Sequence, residues 1–81
     1  MLDAIGKTPL VELRRIRPGR GARVMLKLES LNPTGSMKDR IALAMVKSAA
    51  ADGRLPPGGR VVEYTGGSTG MGLAFVCAAS G

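Results

Sequence analysis

Eighty-one residues make about half of a typical domain, and 44% apolar with 22% charged residues is the balance of a globular chain. Twelve Lys and Arg against six Asp and Glu leave a net charge of +6, a basic balance that favours anionic ligands or surfaces. The chain has no His, no Trp and a single cysteine, Cys77, which excludes a His-based triad, a His-containing zinc site, an internal disulfide and a multi-cysteine metal site. Cysteine usage fits a reducing compartment. The longest apolar run, 73–79, falls far short of the roughly 20 residues of a membrane helix, and no basic-then-apolar signal pattern opens the chain. A cytoplasmic protein is expected. A chain of this length buries only about 60% of its unfolded surface, nothing staples it, and twelve Gly with five Pro add loops. The sequence is therefore expected to be part of a larger domain.

In chain order, Thr8-Pro9-Leu10-Val11-Glu12-Leu13 begins with a proline that suits an edge strand or extended arm. Arg14, Arg15, Arg17, Arg20 and Arg23 interleave with Pro18, Gly19 and Gly21, the pattern of a solvated, turn-rich connector. Residues 24–29 alternate Val24, Leu26 and Leu28 with Met25, Lys27 and Glu29, which predicts a strand. Asn32-Pro33 and Gly35 mark a loop. Ser36 then offers an N-cap with Asp39 three residues on, and Ile41, Ala42, Met45, Val46 and Ala49 recur at helical spacing up to Gly53. After the turn at Pro56-Pro57-Gly58-Gly59, 61–64 reads as a second strand, 65–70 as a Gly-rich loop and 73–79 as the body of a second helix. This is the order of a βαβα unit with parallel strands and a right-handed crossover, an α/β portion of an open parallel-sheet domain. Both loops that follow its strands lie at one sheet edge, where such sheets bind ligands. Two parallel strands cannot cover two helices, so the βαβα unit reads as truncated. The scattered Met25, Met37, Met45 and Met71 read as core fillers rather than metal ligands, and Cys77 as a small buried hydrophobe.

Two loops can carry chemistry. With Ser36 as N-cap, Lys38 lies in the first helical turn, where the positive end of the helix dipole disfavours a cation. The same field, with Arg40 near in sequence, favours the neutral amine that makes a Schiff base. The plain alternative is an exposed lysine balanced by Asp39. The second loop, Thr65-Gly66-Gly67-Ser68-Thr69-Gly70, combines glycines that let backbone approach an anion, hydroxyl donors and the unpaired N–H groups of a helix start. It suits a carboxylate or phosphate. It is neither a Walker A loop nor a dinucleotide fingerprint, since no Gly-Lys-Ser/Thr and no G-x-G-x-x-G can be read from it. The alternative is a Gly-rich turn with a hydroxyl cap.

Ile5-Gly6-Lys7-Thr8-Pro9-Leu10-Val11, Asn32 to Arg40 and Glu63-Tyr64-Thr65-Gly66-Gly67-Ser68-Thr69-Gly70 together resemble the opening segments of the cysteine synthase and cystathionine β-synthase family, enzymes that use pyridoxal 5'-phosphate on the fold type II scaffold. The resemblance covers nearly the whole chain and implies that 1–81 is the N-terminal part of a fold type II catalytic domain. It implies that Lys38 holds the cofactor as an imine and then moves the Cα proton. It also implies that Thr65, Gly66, Gly67, Ser68 and Thr69 grip the substrate carboxylate. The family pattern there is Thr-Ser-Gly-Asn-Thr-Gly, so Gly66 replaces Ser and Ser68 replaces the Asn that also reaches the cofactor's phenolic oxygen. The family's phosphate loop and the hydroxyl facing the pyridine nitrogen fall beyond residue 81.

By this resemblance the reaction is β-replacement on a serine-derived amino acid, foremost cysteine synthesis from an activated serine and sulfide, in an enzyme that is a homodimer at full length. Cysteine desulfhydrase-like β-elimination and a cystathionine β-synthase-like reaction are the neighbouring alternatives. A reading from another class is a small basic module that binds nucleic acid through the arginine connector. Against it, Tyr64 and Phe75 are the only aromatics and give no stacking platform. No nucleic-acid partner is expected.

Overall fold

A computed structural model describes residues 1–16 and 19–81; Arg17 and Pro18 of the expected connector lie outside the described residues. A 3-10 turn at Leu2–Ala4 precedes strand β1 (Leu10–Glu12) and strand β2 (Met25–Lys27). A second 3-10 turn, Glu29–Leu31, leads to helices α1 (Lys38–Ala51) and α2 (Ser68–Ser80). β1 and β2 pair antiparallel, with Leu10 opposite Lys27, Val11 opposite Leu26 and Glu12 opposite Met25. Pro9 stands just before β1, where its missing N–H costs no ladder bond, and its carbonyl accepts from Leu28 N–H at 3.0 Å.

The α/β class agrees with the sequence pattern, while the ladder within the chain differs from it. Residues 61–64 form no strand among the described residues, and Val62 and Tyr64 are 93% and 100% exposed. A parallel ladder needs a second row of N–H and C=O groups alongside; β2 turns one edge to β1, and among the described residues no strand pairs with 61–64. The alternation in 24–29 likewise does not sort an inner from an outer face. Val24, Met25 and Leu26 are 38%, 40% and 42% exposed, because no layer covers this ribbon among the described residues.

The helices hold the core. Ala42 and Val46 of α1 and Leu73 and Val76 of α2 are buried with Ile5 from the N-terminal arm. Gly72 permits a close crossing, since a Cβ there would lie 3.1 Å from the Lys38 carbonyl oxygen and 3.2 Å from Ala42 Cβ. Further along, Val46 and Ala50 line one cavity with Cys77 and Ser80. Early residues thus meet early and late meet late, so the two helices run in the same direction and start at one end of the molecule. Cys77 is half-buried against this core. The four methionines expected as fillers are instead 40–59% exposed: a crossing this tight, made by Gly72 and Ala42, leaves no irregular gap for a long side chain to fill.

Candidate functional site

Lys38 is the first residue of α1. The expected Ser36/Asp39 capping box is not formed: the helix starts two residues after Ser36, with Met37 as the flanking residue. Ser36 Oγ accepts from Lys38 N–H at 3.0 Å. Asp39, fully buried, reaches back past Ser36 instead. Its carboxylate accepts from Thr34 N–H at 2.8 Å and from the Thr34 hydroxyl, which closes the 34–39 loop on itself, with Gly35 making the turn at φ +85°. Lys38 is half-buried, and among the described residues its amine makes no hydrogen bond or ion pair. The guanidinium of Arg40 is committed elsewhere. It binds Glu29 through Nε and a terminal nitrogen at 2.8 and 2.9 Å, and Thr8 Oγ1 at 3.2 Å.

The second candidate loop is shorter than its sequence pattern, because α2 begins at Ser68 and takes Ser68, Thr69 and Gly70 into its first turn. Thr65 explains this early start. Its Oγ1 accepts from Gly67 N–H at 3.2 Å and from Gly70 N–H at 3.0 Å, the service that a capping hydroxyl renders to a helix start. Gly70 is required beside it, since a Cβ there would lie 2.5 Å from Thr65 Cγ2. Thr65 is therefore a cap whose oxygen is occupied by backbone. The backbone N–H groups of Ser68 and Thr69 have no acceptor among the described residues, and Gly66 and Gly67 have open space where a Cβ would be. Ser68 is exposed. Gly72, which touches the Lys38 carbonyl, is four residues past Ser68, about 6 Å of helical rise. The structure thus brings Lys38 and the 65–69 segment to one end of the parallel helix pair, although 61–64 ahead of the second segment forms no strand among the described residues.

Sequence reasoning missed Glu29. Its carboxylate receives Arg40, the Thr8 hydroxyl and Asn32 Nδ2, the last at 2.9 Å, and Asn32 Oδ1 accepts from Gly6 N–H at 2.8 Å. The Arg40 hydrogen bonds, then that of Thr8, hold the Glu29 carboxyl down from 4.5 to about 2, against the opposing pull of partial burial. The same bonds keep Arg40 more firmly protonated. No local pattern marks Glu29, which closes an alternating strand in the sequence.

The whole chain, residues 1–81, matches the family described as pyridoxal-phosphate dependent enzyme. The chain belongs to that family. A cysteine synthase of Staphylococcus aureus is 56% identical over 77 residues, covering 95% of this chain and 25% of its own length. The crystal structure of O-ureido-L-serine synthase superposes with a TM-score of 0.90 at 51% identity, over 96% of this chain and 24% of that one. A hydrogen sulfide-producing enzyme from Fusobacterium nucleatum superposes with a TM-score of 0.78 at 38% identity, over 98% and 26%. The chain therefore spans about a quarter of the length of the curated relatives it matches. The pyridoxal-phosphate family's chemistry needs an amine for the cofactor's aldehyde and donors for an anion. A half-buried Lys38 amine without a partner among the described residues, at the same end of the helix pair as the Ser68 and Thr69 N–H groups, which likewise have none there, fits that need.

Proposed function

We propose that residues 1–81 are the N-terminal part of a fold type II catalytic domain that carries out pyridoxal-phosphate-dependent β-replacement on a serine-derived amino acid, foremost cysteine synthesis from an activated serine and sulfide. The observation that carries this reading is the amine of Lys38 at the start of α1, unpaired among the described residues, set at the same end of the helix pair as the N–H donors at the start of α2, which have no acceptor among them. The S. aureus relative is named a cysteine synthase, and the O-ureido-L-serine synthase neighbour acts, by its name, to make another serine derivative.

In this reading Lys38 would hold the cofactor by its aldehyde through Nζ, and the same amine would move the proton at the substrate Cα. The bound cofactor supplies an electron sink for the charge left at that carbon. Ser68 and Thr69 bind the substrate carboxylate through backbone N–H at the positive end of α2. Gly66 and Gly67 let the carboxylate approach the backbone closely. Thr65 holds the loop in that shape, and the Ser68 hydroxyl would be the group on the cofactor side in place of the family's Asn. β-Elimination is the second reading, supported by the shorter Ser68 at the position of the family's Asn and by the hydrogen sulfide-producing neighbour. Cytoplasmic placement follows the lone free thiol, and a homodimer at full length follows the family resemblance.

Borohydride reduction of the full-length enzyme with its cofactor, followed by peptide mapping, tests the assignment. The pyridoxyl label is expected on Lys38, and Lys38→Ala is expected to lose label and turnover together. Labelling at Lys7, Lys27 or Lys47 overturns it. Activated serine with sulfide is expected to yield cysteine; pyruvate and ammonia as the main products establish the elimination reading.

A further inference from the structure

Two stretches singled out in the sequence, 5–11 and 32–40, include residues that the proposed chemistry does not use: Gly6, Thr8, Asn32 and Arg40. Thr8, Asn32 and Arg40 meet at Glu29, and Gly6 is tied to it through Asn32. Its carboxylate takes the bidentate fork of Arg40 at 2.8 and 2.9 Å, the Thr8 hydroxyl and Asn32 Nδ2 at 2.9 Å. Asn32 and Thr8 are themselves buried, at 4% and 6% exposure. Asn32 passes the connection to Gly6 N–H, and the Thr8 carbonyl accepts from Lys27 Nζ at 2.6 Å. The N-terminal arm is shaped for this. Gly6 and Lys7 both adopt the left-handed region, at φ +82° and +52°, and a Cβ on Gly6 would lie 3.0 Å from an Arg40 terminal nitrogen.

The consequence concerns Lys38. The segment 29–40 leaves β2 as a turn, loops through Asn32 and enters α1, so Glu29 and Arg40 are its two ends. Their ion pair closes it like a clasp, with Lys38 two residues inside. A second closure, Asp39 on Thr34, lies within the first, so the backbone bearing the amine is held at both levels. We propose that Glu29 is a positioning residue for Lys38, which it serves by clasping Arg40 and anchoring the 29–40 segment to the N-terminal arm. This rests on the reading of Lys38 as the cofactor lysine, and it adds a residue that touches neither cofactor nor substrate.

The test uses the full-length apoenzyme and pyridoxal phosphate, with three variants. Glu29→Gln keeps the shape and removes the charge. Arg40→Lys keeps the charge and removes the planar fork. The third combines both. The rate of borohydride-trapped labelling at Lys38 is read beside the melting temperature and the split between KM and kcat. Each single variant is expected to slow labelling of Lys38 about tenfold and to lower kcat more than it raises KM. The double variant is expected to be no slower than the worse single, because the two side chains act as one unit. Labelling within twofold of the parent in both singles, whether or not the melting temperature falls, overturns the proposal, and so does a multiplicative loss in the double variant. A parent enzyme labelled at another lysine sinks the Lys38 assignment instead, which the label map distinguishes. Should Glu29→Gln fail to fold, Arg40→Lys alone decides by the same labelling criterion.

Discussion

In the proposed reading, Ser68 is the residue on which the choice of reaction turns. It opens α2 with an exposed side chain beside a Gly67 that has open space around it, so a larger polar group fits there without displacing a neighbour. Ser68→Asn in the full-length enzyme is expected to restore a donor with the reach of the family's Asn and to tighten amino-acid binding by about 1 kcal/mol, roughly fivefold. A spectral titration of the cofactor with amino acid reads this, and unchanged or weaker binding would place Ser68 outside cofactor contact. Glu29 gives a pH dependence with a definite sign. Its folded-state value of about 2 lies below the ordinary 4.5, so the folded state binds this proton less readily than the unfolded chain. The resulting stabilisation is fully present above pH 4.5 and is lost as pH falls from there toward 2. Denaturant titrations of the full-length parent and Glu29→Gln are expected to differ most at neutral pH and to converge in that acid window; a gap that persists at its lower end contradicts the assigned cause.

At the scale of elements, each helix end has its own device. α1 stops where Gly53, at φ +83°, donates to the Ala50 carbonyl at 3.4 Å, the left-handed closure that glycine permits. Gly53→Ala meets open space but must hold the same φ, so a loss of about 1 kcal/mol in denaturant titration is expected from the backbone alone. At the other helix, Thr65→Val keeps the side-chain shape and removes the acceptor for two N–H groups, and is expected to cost about 1 kcal/mol while weakening amino-acid binding through a loosened loop. The contrast between these ends shows what a sequence can display. Gly53 was legible because a glycine after a helical run acts on its own neighbours. The start of α1 was not, because Asp39 had two possible partners, Ser36 and Thr34, and the choice of Thr34 depended on burial at the crossing with α2. The place of Lys38 in the first turn of a helix was legible from the loop before it, and 65–70 from its glycines and hydroxyls ahead of an apolar run, whereas Glu29 was not, since its partners Thr8 and Arg40 are 21 and 11 residues away. The ladder expected between 24–29 and 61–64 was unreadable for a related reason: an apolar run declares a wish to be buried and not the neighbour that will bury it.

The whole molecule is held together by little. Among the described residues five buried hydrophobic side chains form its core, and the chain extends over 54 × 24 × 20 Å. It exposes 6106 Å², whereas a compact monomer of its 8.4 kDa mass exposes about 4,600 Å². Exposed apolar side chains contribute to it. Val61 and Val62 border a cavity of about 580 Å³ against α1, and Leu10, Met25 and Leu26 of the β1–β2 ribbon are 40–58% exposed. An unpaired extended segment beside uncovered apolar faces invites association. The 81-residue chain alone is therefore expected to unfold without a cooperative transition or to self-associate, even though the Thr34–Asp39 and Thr65–Gly70 closures are built from local bonds. Circular dichroism through a denaturant titration, with sedimentation at the same concentrations, reads both outcomes. A monomer with a sharp, reversible transition would mean that the two-helix crossing at Gly72 and the Glu29 clasp suffice as a core, and that the apolar faces of 61–64 and the ribbon are tolerated surface rather than surface awaiting a partner.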